Sequence, residues 1–267
     1  MLRFQSFQSG SNGNAVYLGS DRTQLLLDAG ISCKRITEAL HKIELDPQDL
    51  SGILITHEHS DHISGLFTLA KKYGIPVYGT EGTLEGIRAA DKESVIDNSL
   101  YNAIPCGESF MIGDLTIHTV HNSHDARDPV AYRVSDGHRS CAVMTDLGTF
   151  TQDTVDFLLG VNGLLIESNH DIRMLEAGPY PYVLKRRILG DYGHLSNIRS
   201  GELLNRILHP ALSYVFLGHL SEENNYPETA YLTVTQSVDE ADNAYHASDF
   251  DIRIASRHHA SDLMELR

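Results

Sequence analysis

The chain has 267 residues, 41% of them hydrophobic, and a formal net charge of −15 from 36 acidic residues against 21 basic ones. This length can bury a full core, as one large domain or two fused halves, and the acidic balance argues against a broad basic footprint that holds nucleic acid by counterion release. Cys33, Cys106 and Cys141 are scattered, which argues against a disulfide framework; the first residues read as a strand, not a secretory signal, and no apolar run nears the roughly 20 residues of a membrane span, so a cytoplasmic protein with no membrane partner is expected.

From the start of the chain, Leu2 to Gln8, Ala15 to Gly19 and Gln24 to Asp28 are short apolar runs. Turn segments at Gly10 to Asn14 and Asp21 to Thr23 part them, which predicts antiparallel strands. Ile36, Leu40 and Ile43 then recur at helical spacing until Pro47 closes the segment. Ile53 to Ile55 reads as a buried strand, Leu66 to Tyr73 as a helix entered near Gly65, Pro76 to Tyr78 as a strand and Leu84 to Ala90 as a helix. A β-rich stretch follows at Phe110 to Ile112, Leu115 to Val120, Ala131 to Val134 and Cys141 to Met144.

The second half repeats the plan. Helices are predicted at Val155 to Leu159, Val183 to Leu189, Gly201 to Leu208 and Glu228 to Val238, and strands at Leu164 to Ile166, Tyr214 to Leu217 and Ile252 to Ala255. Strands in the middle with helices outside, twice over, predict an α/β (α+β) fold: two sheets between helical layers, the four-layer αββα order. No Pro/Gly-rich linker divides the chain, so residues 1–267 are expected to form a single domain of two related halves.

The densest chemistry is Thr56-His57-Glu58-His59-Ser60-Asp61-His62, directly after Ile53 to Ile55. Three imidazoles and a carboxylate within six residues form a metal site that packing does not explain. His57 and His59 alternate on an extended chain end, so both can face one ion; Asp61 and His62 follow where the chain turns into a helix and can reach a second.

The pattern His-x-His-x-Asp-His resembles the signature of the metallo-β-lactamase superfamily, whose αββα sandwich the predicted elements match. That resemblance directs attention to later strand ends. Of the two histidines in His121-Asn122-Ser123-His124-Asp125, His124 better resembles the family's third ligand motif, and His121 reads as a hydrogen-bonding residue behind the ligands. Asp146 is placed to bridge two ions with one carboxylate, and His219 supplies an imidazole at a late strand end. Many lactamases carry cysteine where this chain has Asp146, and Cys141 lies a few residues upstream. The expected ligands are therefore His57, His59, Asp61, His62, His124, Asp146 and His219, holding two divalent ions. A set without thiolate suits zinc, manganese or iron.

Two ions so held imply hydrolysis, with a hydroxide between them as the nucleophile. Three further segments bear on the substrate: Glu167-Ser168-Asn169-His170-Asp171 at a strand end, Gly193-His194-Leu195-Ser196-Asn197 before a helix, and Gly218-His219-Leu220-Ser221. The helix start, capped by Ser196 or Asn197, reads as an anion site with His194 beside it. Turn chemistry also accounts for these residue types, so His194 and His170 keep a structural reading beside a functional one.

With Ser9 to Asn14, these segments resemble the WalJ/YycJ branch of the superfamily, regarded as exonucleases acting 5′ to 3′ on DNA. The resemblance implies a catalytic set of Asp61, Glu167 and His194, the last two near the scissile phosphate, with DNA as substrate. The chain departs from related nucleases in having no room for the large inserted domain by which they grip RNA. Lys185-Arg186-Arg187, the one dense basic group, either faces solvent or tracks a phosphate backbone. Tyr180, Tyr182 and Tyr192 either stack on bases or sit in the core. The competing reading is a small-molecule hydrolase of the same fold acting on a thioester, lactone or cyclic phosphodiester.

Overall fold

The computed structural model describes residues 1–266. The apolar runs at the start pair as an antiparallel meander, β1 (Leu2–Gln8), β2 (Ala15–Gly19) and β3 (Gln24–Leu27). The chain then crosses through α1 (Cys33–Lys42) into β4 (Leu50–Leu54), parallel to β3. α2 (Ser60–Ile63) and α3 (Leu66–Tyr73) lead to β5 (Val77–Gly79), and α4 (Glu81–Ala90) leads to β6 (Tyr101–Ala103), each new strand again parallel to the last.

The second sheet repeats this plan. β7 (Ser109–Ile112), β8 (Leu115–His121), β9 (Val130–Ser135) and β10 (Ser140–Met144) form an antiparallel meander. α5 (Gln152–Leu158) returns the chain to β11 (Gly163–Glu167); α6 (Ile172–Ala177), α7 (Tyr182–Leu189) and α8 (Asn197–Asn205) precede β12 (Tyr214–Gly218), and α9 (Pro227–Asp239) precedes β13 (Asp251–Ile254). β10 to β13 are parallel neighbours. β14 (Met264–Leu266) returns to the first sheet, antiparallel to β1.

Burial follows from this layering. Leu18, Leu25, Leu27 and Leu54 of the first sheet meet Ile117, Tyr132, Val143, Leu165 and Phe216 of the second in a core between the sheets. Ile36, Leu40, Leu66, Leu69 and Leu84 from α1, α3 and α4 cover the outer face of the first sheet. Val155, Leu158, Leu203, Leu204 and Val234 from α5, α8 and α9 cover that of the second. The result is the αββα order expected from the sequence, and no helix among the described residues is long and apolar enough to cross a membrane.

The differences are local. β3 stops at Leu27, one residue short of its expected end, because Asp28 takes a left-handed conformation, φ 59°. A helical turn already begins at Ser60, ahead of the helix expected near Gly65. β6 and β14 have three residues each and carry no alternation long enough to read.

Candidate metal centre

β3, β10 and β12 each run out into a residue with left-handed backbone: Asp28 and Asp146 at φ 59°, His219 at φ 53°. Such a conformation costs a non-glycine residue on the order of 1–3 kcal/mol and persists only where neighbours enforce it. The neighbours are present. Thr56 donates its backbone N–H to the Asp28 carboxylate at 2.9 Å, Asn122 donates to the Thr145 and Asp146 carbonyls at 2.7 and 2.8 Å, and Ser9 Oγ receives the His219 N–H at 2.9 Å. Each kink sets the side chain at the rim of its sheet.

The Thr56 to His62 turn is clamped from the first sheet. Asn14 N–H donates to the Asp61 carbonyl and Ala29 N–H to the His62 carbonyl, both at 2.8 Å. Gly30 packs so tightly here that a Cβ would run into the Asp61 carbonyl. The turn and three strand ends thereby converge. His57 Nε2 lies 3.1 Å and His124 Nε2 3.3 Å from His59 Nδ1, a cluster of three imidazoles. Beside it, His62 Nε2 lies 3.5 Å and His219 Nε2 3.6 Å from Asp61 Oδ2. Asp146 stands between them: its carboxylate is 3.2 Å from His62 Nε2, 3.4 Å from His219 Nε2 and 3.8 Å from His124 Nε2.

Four of the five imidazoles are held from behind through Nδ1, leaving Nε2 for the centre. His62 donates to Asp28 Oδ2 at 2.7 Å, His57 pairs with Thr56 Oγ1 at 3.1 Å, His124 donates to the Gly193 carbonyl at 3.1 Å and His219 donates to Glu167 Oε1 at 3.0 Å. Bonds of this kind fix tautomer and orientation in metal-binding histidines.

Charge tests whether cations fit. Burial lowers His57 and His124 and leaves them as neutral donors. Burial would do the same to His62, but Asp28, Asp146 and Asp61 outweigh it and hold that ring well above the usual imidazole range. His219, although buried, is pushed up to about 10 by Asp146, Asp61 and Glu167. Burial would raise Asp61 and Asp146, yet the imidazoles facing them keep both well below the carboxylate range. Buried His219 Nε2 has no hydrogen-bond partner among the described residues. Crowded nitrogens, carboxylates drawing in positive charge and an orphaned Nε2 fit divalent cations.

Beyond this ring, Glu167 is fully buried and saturated. Its Oε2 accepts from Leu147 N–H at 2.7 Å and Leu195 N–H at 3.1 Å, while Oε1 accepts from His194 Nδ1 at 2.8 Å as well as from His219. Burial works to raise it, but His194 and His219 draw it down to about 2. His194 stacks on His219 with ring centroids 5.3 Å apart, and its Nδ1 is committed to Glu167.

All seven expected ligands converge, with Glu167 and His194 beside them. Two other expectations are corrected. His121 is exposed at the last position of β8, and the bonds behind the centre come from Asn122 and His124 instead. The start of α8 is no anion site: Leu195 N–H goes to Glu167, Asn197 N–H to the His170 carbonyl and Arg199 N–H to Ser196 Oγ. Cys141 lies in the core between the sheets, where burial pushes its thiol up. His170 is buried, bridges to Ser196 through its backbone and is held down to about 4 by burial, a structural place at the base of α8.

Sequence reasoning missed Asp28, Thr56, Asn122 and Ser9, which orient the ligands. Asp28 left the one usable signal, an acid closing the apolar run Leu25-Leu26-Leu27.

A β-lactamase superfamily domain model matches residues 23–213. The chain is 39% identical over 241 residues to exodeoxyribonuclease WalJ of Streptococcus pneumoniae, covering 90% of each protein. It is 40% identical over 240 residues to exodeoxyribonuclease YycJ of Bacillus anthracis, with the same coverage. The metallo-β-lactamase fold protein YhfI of Bacillus subtilis superimposes with a TM-score of 0.72 at 15% identity, over 98% of this chain and 100% of that one.

Proposed function

The chain belongs to the β-lactamase superfamily, and within that fold we propose that it is a dinuclear, metal-dependent phosphodiesterase that removes nucleotides from the 5′ end of DNA. The observation that carries the reading is Asp146, one carboxylate between two clusters of donor atoms. The relatives named exodeoxyribonucleases, matched along 90% of the chain, support DNA as the substrate.

In this reading His57, His59 and His124 would hold one ion, Asp61, His62 and His219 the other, with Asp146 available to both. Two divalent ions there, zinc, manganese or iron, supply Lewis acidity that acidifies water and neutralises charge growing on the phosphoryl oxygens. Asp61, whose side chain is 23% exposed, is positioned to accept a hydrogen bond from the attacking water and orient it towards phosphorus. His194 has Nδ1 committed to Glu167, so Nε2 is its free donor, and we assign it the proton delivered to the leaving oxygen. Glu167 meets no substrate, being buried with four donors upon it; it is a positioning residue that fixes His194 and His219 together.

The test is metal-loaded protein incubated with end-labelled linear and closed-circular DNA, RNA, a lactone and a thioester. Mononucleotides released from the 5′ terminus of linear DNA, with turnover suppressed by salt, is the expected result. Equal attack on circular DNA refutes exonucleolytic action, and cleavage of the lactone or thioester without DNA turnover refutes the phosphodiesterase assignment.

A further inference from the structure

Outside residues 193–195, the metal centre does not use the stretch from α6 through α8, which differs in charge from the rest of the chain. Residues 172–206 hold six basic side chains against three acidic ones, a net of +3 in a chain of net −15. The segment also exposes apolar surface: of the eleven large hydrophobic side chains exposed among the described residues, Tyr182, Val183, Leu189, Tyr192 and Ile198 fall within residues 182–198. Tyr182 and Tyr192 are 73% and 63% exposed.

The pattern has a direction. Tyr182, Arg186 and Leu189 recur at i, i+4 and i+7, so they share one face of α7, and the Arg186 guanidinium lies 6.0 Å from the Tyr182 ring centre. Lys185 bonds a neutral acceptor, the Glu176 carbonyl, at 2.7 Å, so its charge stays uncompensated. Arg187 instead grips Asp125, the residue after ligand His124, with both carboxylate oxygens engaged. Asp125 N–H donates to the Tyr192 carbonyl at 3.1 Å, and His124 Nδ1 to that of Gly193. The exposed stripe is thus zipped to the loop of a candidate ligand and ends two residues before His194.

We propose that the stripe from Tyr182 through Arg186 to Tyr192 grips the DNA strand entering the metal centre, with bases stacked on the tyrosines and phosphates on Lys185 and Arg186. The inference rests on the nuclease reading above. Charge complementarity favours a polyanion here over a second copy of an acidic chain, and aromatic faces bind bases without regard to sequence.

The test is steady-state degradation of 5′-labelled DNA across a salt series by wild type, Tyr182→Ala, Tyr192→Ala, Tyr192→Phe and Arg186→Gln, with sedimentation of each. Each alanine variant is expected to raise KM roughly 10-fold with kcat retained, Tyr192→Phe to restore KM, and Arg186→Gln to flatten the salt slope by about 0.7. Unchanged KM and salt slope in every variant, while wild type degrades DNA, overturn the stripe alone. Dissociation of a dimer by Tyr182→Ala with DNA kinetics unchanged overturns it in favour of a contact between copies. Wild type that hydrolyses bis(4-nitrophenyl) phosphate but leaves DNA intact overturns the nuclease reading, and the stripe with it.

Discussion

The two donor clusters that meet at Asp146 are built from opposite materials. His57, His59 and His124 are all imidazoles, and those held from behind lean on neutral groups, Thr56 Oγ1 and the Gly193 carbonyl. His62 and His219 share Asp61 and lean on carboxylates, Asp28 and Glu167. In the first cluster His57 and His124 offer neutral lone pairs, whereas the second has negative charge that must be met by a proton or a cation. One site with two electrostatic halves follows, and the carboxylate-rich half is expected to take the harder ion and hold it more tightly.

Removing the charge behind the second half should have the largest effect. Glu167→Ala strands the His219 and His194 Nδ1 donors and two backbone amides, and should cost about 3–5 kcal/mol in a urea melt of the metal-free protein; a loss below 1 kcal/mol would show that these bonds hold nothing together. His194→Ala lies outside both halves. It should keep the full metal content while turnover slows by roughly 10²–10³, and loss of an ion in that variant would make His194 a ligand instead.

A subtler break is Asp28→Asn, which preserves shape while removing charge behind His62. Metal affinity of the second half should fall roughly 10–100-fold with the first half unaffected, read as separate steps in a calorimetric titration; equal weakening of both steps would contradict the division. The smallest effect is in protons. His62 and His219 are held protonated without metal, so an ion entering their half must displace protons, and its affinity should rise about tenfold per pH unit for each proton released. His57 and His124 are already neutral, so the first half should show little such slope near pH 7. Proton release measured in buffers of different ionisation enthalpy separates the two, and identical slopes would erase the contrast.

The candidate ligands were legible because Thr56 to His62 compresses four of them into one turn, and because Asp146 and His219 close apolar strands. What holds them was not. Asp28, Thr56 and Glu167 act through bonds across 20 to 52 residues of sequence, and the left-handed backbone of Asp28, Asp146 and His219 is imposed by tertiary neighbours, not by residue type. The long amphipathic and buried elements carried the αββα order, while one-turn helices and three-residue strands such as α2, β6 and β14 leave no period to count. Exposure of Tyr182 and Tyr192 was equally hidden, since a tyrosine at a helix start or in a turn fits a core as well as a surface.

The central claim is that one aspartate joins the two halves, and the most direct measurement is metal content and DNA turnover determined together on wild type and Asp146→Ala. Close to two ions per wild-type chain, fewer in the variant and no detectable turnover is the predicted result. Two ions per chain with undiminished turnover in Asp146→Ala would contradict it.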